Sequence, residues 1–203
     1  MKQDALRFSL ILLLVLPVLN AFGNFSDSTR SGKWYVPHFV PFQFAGNIGF
    51  LSVGAGYNSN SHNYQLGILY GYVPASIGNA EIHTITAKNN FPLRRYQLKN
   101  NQTLIPYVGI GLTVEVGGNA FLAMPSHYPD GYYDFPKNLH VIAYGGTSVQ
   151  HLFHNDFRFL RGLEFYVEAG TVDVYLWYKT ISDQIKFNQI FSLALGVNLL
   201  LHK

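Results

Sequence analysis

The sequence predicts an all-β fold, an eight-stranded antiparallel up-and-down transmembrane β-barrel. Three observations carry that prediction. The first is the segment 104–116, where Val108, Ile110, Leu112, Val114 and Val116 alternate with Tyr107, Gly109, Gly111, Thr113 and Glu115. Successive side chains of a strand face opposite sides, so one face here is aliphatic and the other small, polar or charged. A soluble sandwich would cover the aliphatic face with a second sheet, whereas a membrane barrel turns it to lipid and lines its lumen with the other. The second observation is that only 12% of residues are charged, against about 25% in soluble domains. The third is a composition of 14 Tyr, 16 Phe and 19 Gly with no cysteine, which suits an exported barrel and excludes disulfides, thiol chemistry and a lipoprotein anchor.

The amino terminus fits export. Lys2 and Arg7 precede an uncharged run from Phe8 to Leu19, and Ala21-Phe22-Gly23 places small residues at the −3 and −1 positions of a cleavage site. This reads as a signal peptide over 1–23 followed by a barrel domain over 24–203. Pro17 and Asn20 interrupt the run before the roughly 20 apolar residues a membrane-spanning helix needs. The net charge of +3 includes no basic patch with interleaved aromatics, so no nucleic-acid partner is expected.

The strands follow in order. The first is read at 33–43, where Pro37 and Pro41 weaken the ladder, because proline has no N–H to donate. A turn at Ala45-Gly46-Asn47 leads to the second, 48–58, with Leu51, Val53, Ala55 and Tyr57 on one face. The third, 63–73, sets Tyr64, Leu66, Ile68, Tyr70 and Tyr72 against Asn63, Gln65, Gly67, Leu69 and Gly71. Tyrosines flanking aliphatics in this way match the aromatic girdle of a membrane barrel. After a loop at 74–79, the fourth strand, 80–89, offers Ile85 and Ala87 outward and Thr84, Thr86 and Lys88 to the lumen. A connection at 90–101 carries Arg94 and Arg95, and the fifth strand covers 102–117. The longest loop is 118–137. The sixth strand, 138–150, sets Leu139, Val141, Ala143 and Val149 against His140, Tyr144, Ser148 and Gln150. The seventh begins near Gly162 and places Leu163, Phe165, Val167, Ala169, Val172, Val174 and Leu176 in apolar positions, with a parity shift at Gly170-Thr171 that implies a bulge or an excursion beyond the membrane. The last strand is read at 185–201.

Eight strands match the smallest even-numbered bacterial barrels, whose interior is just filled by side chains, so a wide pore is not expected. With both termini periplasmic, loops 44–47, 74–79, 118–137 and 180–184 lie outside the cell. Across this pattern, and in the string Ile105-Pro106-Tyr107-Val108-Gly109-Ile110-Gly111-Leu112, the chain resembles the class of small outer-membrane barrels that includes the OmpA transmembrane domain, OmpX, OmpW, PagL and PagP. The resemblance implies residence in the outer membrane of a Gram-negative bacterium, in contact with outer-membrane lipid and lipopolysaccharide. The His-x-Ser pair of PagL-like deacylases has no counterpart among the eight histidines.

Polar residues on lumen parity form the first candidate site: Glu115, His140, Glu164, Glu168 and Lys186. Charges in a narrow interior demand partners, so these residues are expected to form an internal network, with a gated ion path or a carboxylate pair as the functional alternative. Glu164 and Glu168 are four residues apart on one strand, about 13 Å between α-carbons, too far for a close acid–base pair. Ser126, His127 and Asp130 supply the residue types of a nucleophile, its base and an orienting acid. Because they are adjacent in sequence, the simpler expectation is an Asp-Gly turn bearing an aromatic platform of Tyr128, Tyr132 and Tyr133. His151, His154 and Asp156 lie on a connection without fixed ligand geometry, so neither a metal nor a cofactor is expected. The function read from the sequence is a structural or surface-interaction barrel whose outer loops, chiefly 118–137, meet lipopolysaccharide, an envelope protein partner or an external ligand. The alternatives are a lipid A-modifying hydrolase or acyltransferase and a narrow channel for a small solute.

Overall fold

Period-2 alternation has its structural counterpart in a ring of hydrogen-bonded strands. The computed structural model describes residues 35–59, 63–116, 138–154, 159–181 and 189–202. Its strands are β1 (Phe39–Ala45), β2 (Leu51–Asn58), β3 (Gln65–Val73), β4 (Ile82–Pro92), β5 (Tyr96–Gln97), β6 (Gln102–Val116), β7 (Leu139–Leu152), β8 (Leu160–Val172) and β9 (Ser192–Leu201). Each long strand pairs antiparallel with its neighbour in sequence, β1 pairs with β9, and β4 pairs directly with β6. The result is a closed eight-stranded barrel, with two-residue β5 lying outside the ring as an extension hydrogen-bonded to the start of β6.

Parity is kept around the ring. Outward positions are large and exposed: Phe42 and Phe44 on β1, Leu51 and Val53 on β2, Ile68 and Tyr70 on β3, Ile85 on β4, Val108 on β6, Phe165 and Val167 on β8, Leu193 and Leu195 on β9. Inward positions are buried and mixed. Ile48, Leu69, Tyr107, Ile142, Tyr144 and Tyr166 form an apolar cluster inside the barrel, surrounded by Gln43, Thr84, Thr86, Lys88, Thr113, Ser148, Glu164, Glu168 and Asn198. Ile48 belongs to the β1–β2 loop, which folds into the barrel mouth, and its carbonyl accepts a hydrogen bond from Thr84 Oγ1.

Several boundaries differ from the sequence reading. β1 runs 39–45 rather than 33–43. Pro41 sits inside it, paired with Asn198 of β9, while the pairing with β2 lapses between Phe39↔Gly56 and Phe42↔Val53. β4 continues to Pro92. The 90–101 connection contains a tight hairpin in which Asn100 and Asn101 adopt φ of 60° and 58° and join β5 to β6, the conformation that two-residue hairpin turns require. The 74–79 loop contains a single helical turn, α1 (Ala75–Gly78), ending on left-handed Asn79.

The largest correction concerns the seventh strand of the reading. The parity break at Gly170-Thr171 marks a strand end. β8 stops at Val172, and α2 (Asp173–Ile181) follows, with the Asp173 carboxylate accepting from the Val174 N–H in its first turn. The register shift in this strand is at its opposite end, between Leu160 and Gly162. The last strand begins at Ser192, and 189–191 precede it outside the ladder. Both the signal peptide read at 1–23 and the loop read at 118–137 lie outside the described residues.

Candidate functional site

The barrel interior is built around one ion pair. Glu168 on β8 and Lys88 on β4 both point inward by strand parity, and the Lys88 ammonium meets the Glu168 carboxylate at 2.5 Å. Closing the ring brings three further strands, β1, β6 and β7, to the pair. Lys88 Nζ also donates to Gln43 Oε1 of β1 at 2.9 Å. The Tyr107 hydroxyl of β6 donates to the second Glu168 oxygen at 3.0 Å. Gln43 is in turn held by the Tyr166 hydroxyl at 3.2 Å and by its own amide on the Ala45 carbonyl at 3.1 Å. The ammonium lies 4.5 Å from the centre of the Tyr144 ring and 5.5 Å from that of Tyr166, within the range of cation–π attraction.

Tyr144 and Tyr166 can lie across the lumen because the residues they cross are glycines. A β-carbon on Gly109 would sit 2.2 Å from the Tyr144 ring, and one on Gly196 would sit 2.1 Å from the Tyr166 ring. The alternation of glycine with aliphatics in β6 and β9 thus makes room for tyrosines that solvate a buried charge. Tyr144 ends in hydrogen bonds to Asn90 Oδ1 at 2.7 Å and the Asn89 carbonyl at 3.2 Å.

A second centre lies nearer the other end of the barrel, where the Glu164 carboxylate accepts from Ser148 Oγ at 2.5 Å and Asn198 Nδ2 at 3.2 Å. Thr86 and Thr113 share a hydrogen bond of 2.6 Å across β4 and β6. Lys88 and Glu168 contribute to the lining of two interior spaces. One is shared with Gln65, Asn90, Glu164 and Asn198, the other with Asn47, Ile48, Gly170 and Ser192. Of the residues lining these spaces, Lys88 and Glu168 are the two common to both.

The network expected from sequence is distributed among several places. Glu164 and Glu168 are both buried, at 3% and 6% exposure, and have separate partners. His140 is at the mouth, with Nδ1 at 3.4 Å from Asp173 Oδ1 at the start of α2. Glu115, also at the mouth, is half-buried and pairs through its backbone N–H with the Asn138 carbonyl, and among the described residues it takes no part in the central network. Lys186 lies outside the described residues, as do Ser126, His127 and Asp130, the tyrosines Tyr128, Tyr132 and Tyr133, and Asp156. Among the described residues no group of three His, Asp or Glu side chains has metal-binding geometry.

Strand parity puts Lys88 on the lumen face, but nothing local in the sequence joins it to Glu168 or to Gln43. Strand parity puts Tyr107 and Tyr144 in the inward row and gives them no partner. Lys88 continues the inward row of Thr84 and Thr86, opposite Ile85 and Ala87, in a chain poor in charge, and that is the signal that marks it.

Aromatic residues gather at both ends of the wall. Phe44 packs on Phe50, and Tyr70 and Tyr72 flank His83 at the mouth. His38 meets Tyr57, Tyr64 meets Phe91, and Arg94 lies over Tyr96 at the opposite end. No protein-family model, curated protein or solved structure matches this chain.

Proposed function

We propose that this chain is a bacterial outer-membrane barrel with a structural or surface-interaction role, its outer loops meeting lipopolysaccharide, an envelope protein or an external ligand. The observation that carries this reading is the belt of exposed apolar side chains. Seven of the eight barrel strands contribute exposed large hydrophobics, from Val53 and Val167 at 41% to Leu193 at 69%. A soluble monomer rarely leaves a contiguous apolar patch larger than a few hundred Å² uncovered, whereas hydrocarbon covers such a belt. The aromatic residues at both ends of the wall fit the two membrane interfaces. A lumen occupied by an ion pair flanked by tyrosine rings supports a plugged wall with its interactions at the ends.

A second reading, a narrow path for protons or small ions, is favoured by one observation: the Lys88–Glu168 pair borders both interior spaces.

The surface role is tested by co-purification in mild detergent. Full-length chain is expected to bring down lipopolysaccharide or an envelope protein, and a chain lacking 120–135 to lose that component while keeping its barrel. Recovery of bare monomer from both would overturn the surface role and leave the barrel intact.

A further inference from the structure

The outer wall is concave over β1. Around β1 the outward side chains form two tiers, set by the strand register. The lower tier runs Tyr70–Val53–Phe42–Val197–Phe165, and the upper runs Tyr72–Leu51–Phe44–Leu195. The tiers are two residues apart along the strands, roughly 6.7 Å. Between them Gln43, Ser52 and Gly196 turn inward, so the floor is bare backbone.

Three of the lining side chains make ring contacts with residues nearer the mouth. The Phe44 ring is drawn to Phe50, with centroids 5.0 Å apart. Tyr70 and Tyr72 lean towards His83, with centroids at 5.9 and 5.2 Å. The furrow is open on its outer side and encloses about 590 Å³.

One end of the furrow is polar. The Tyr72 hydroxyl donates to Glu81 Oε1 at 3.1 Å, and the Tyr70 hydroxyl lies 2.5 Å from His83 Nδ1. Hydroxyl, imidazole and carboxylate groups are thereby concentrated where the apolar furrow meets the barrel mouth. An apolar channel ending in hydrogen-bonding groups complements an amphiphile, and the proposed setting surrounds this wall with amphiphiles.

We infer that the furrow over β1 is a binding site for one acyl chain of a membrane lipid, whose polar head is held by the Tyr70–Tyr72–Glu81–His83 cluster. The inference rests on the membrane reading above. It distinguishes one retained lipid from the lipid that covers the rest of the wall.

The test uses full-length protein in vesicles containing a phospholipid with a photoreactive group near the middle of its acyl chain. After irradiation, the labelled positions are mapped by mass spectrometry. Labelling at 39–58 and 192–201 is expected to exceed that around Val108, on β6 across the barrel, by about tenfold. Val53→Trp combined with Val197→Trp fills the furrow from outside and is expected to abolish the excess, while Val108→Trp leaves it unchanged. All three positions face outward, so the lumen is undisturbed. Equal labelling of both walls would overturn the lipid site and leave the membrane reading standing. A protein that takes no label and stays folded without lipid would overturn both. Protein-to-protein crosslinks at the furrow in place of lipid adducts would assign it to a second copy of the chain and sink the inference.

Discussion

Lys88→Met is expected to destabilise the barrel by about 3–5 kcal/mol, the cost of leaving a buried charge without its partner. Glu168 is 6% exposed, and without the ammonium its carboxylate keeps only the Tyr107 hydroxyl among the contacts described above. Removing both charges has a different outcome. Lys88→Met with Glu168→Met replaces the pair by apolar groups of similar length, and such replacements are often neutral or stabilising. The double variant is therefore expected to recover most of the loss. Urea unfolding of vesicle-embedded protein, followed by the mobility of unheated samples on gels, measures both. Glu115→Gln is the control and should unfold with wild type, because Glu115 stands apart from the central pair. A Lys88→Met barrel as stable as wild type would show that the pair does not hold the lumen.

Gly196→Val and Gly109→Val attack the same centre from the wall. Their β-carbons would sit 2.1 Å from the Tyr166 ring and 2.2 Å from the Tyr144 ring, so each ring must leave its place beside Lys88. Overpacking of this kind costs about 1–3 kcal/mol per site. Both rings flank one ammonium, so the two substitutions share a partner and their effects are expected to couple rather than add. The combined variant is expected to fail to close, remaining at the unfolded mobility in unheated gels. Tyr144→Leu added to Gly109→Val removes the clash at that site and should recover most of the stability that Gly109→Val loses. If Gly109→Val alone migrates and unfolds as wild type, the ring does not lie across that glycine.

The wall of this barrel is legible in the sequence because its physics is local. Strand parity alone sorts Val108 and Ile110 outward from Gly109 and Gly111, and the same rule places Thr84, Thr86 and Lys88 inward. Pairing inside the lumen is not local. Lys88 and Glu168 are 80 residues apart and Gln43 is 45 from Lys88, so their meeting depends on ring closure and on the register of every intervening strand. Parity places each of them in the lumen but leaves their heights along the axis unmatched. The α2 segment is illegible for a different reason. Val172, Val174 and Leu176 alternate as a strand would, and Val, Tyr and Trp favour strands. The helix forms where β8 has left the ladder, so context overrides propensity. The tight turn before β6 did carry a local signal, since Asn tolerates positive φ better than most residues, and Asn100-Asn101 uses it at both turn positions.

What covers Phe42, Ile68, Val108, Phe165 and Leu195 decides the account as a whole. The most direct measurement is the folded fraction of the purified chain in detergent-free buffer compared with lipid vesicles, read from β-sheet circular dichroism and unheated gel mobility. Folded protein is expected in vesicles, with aggregated or unfolded chain in buffer. A soluble, monodisperse, fully folded monomer in buffer alone would mean that water tolerates this surface, and the membrane assignment would be wrong.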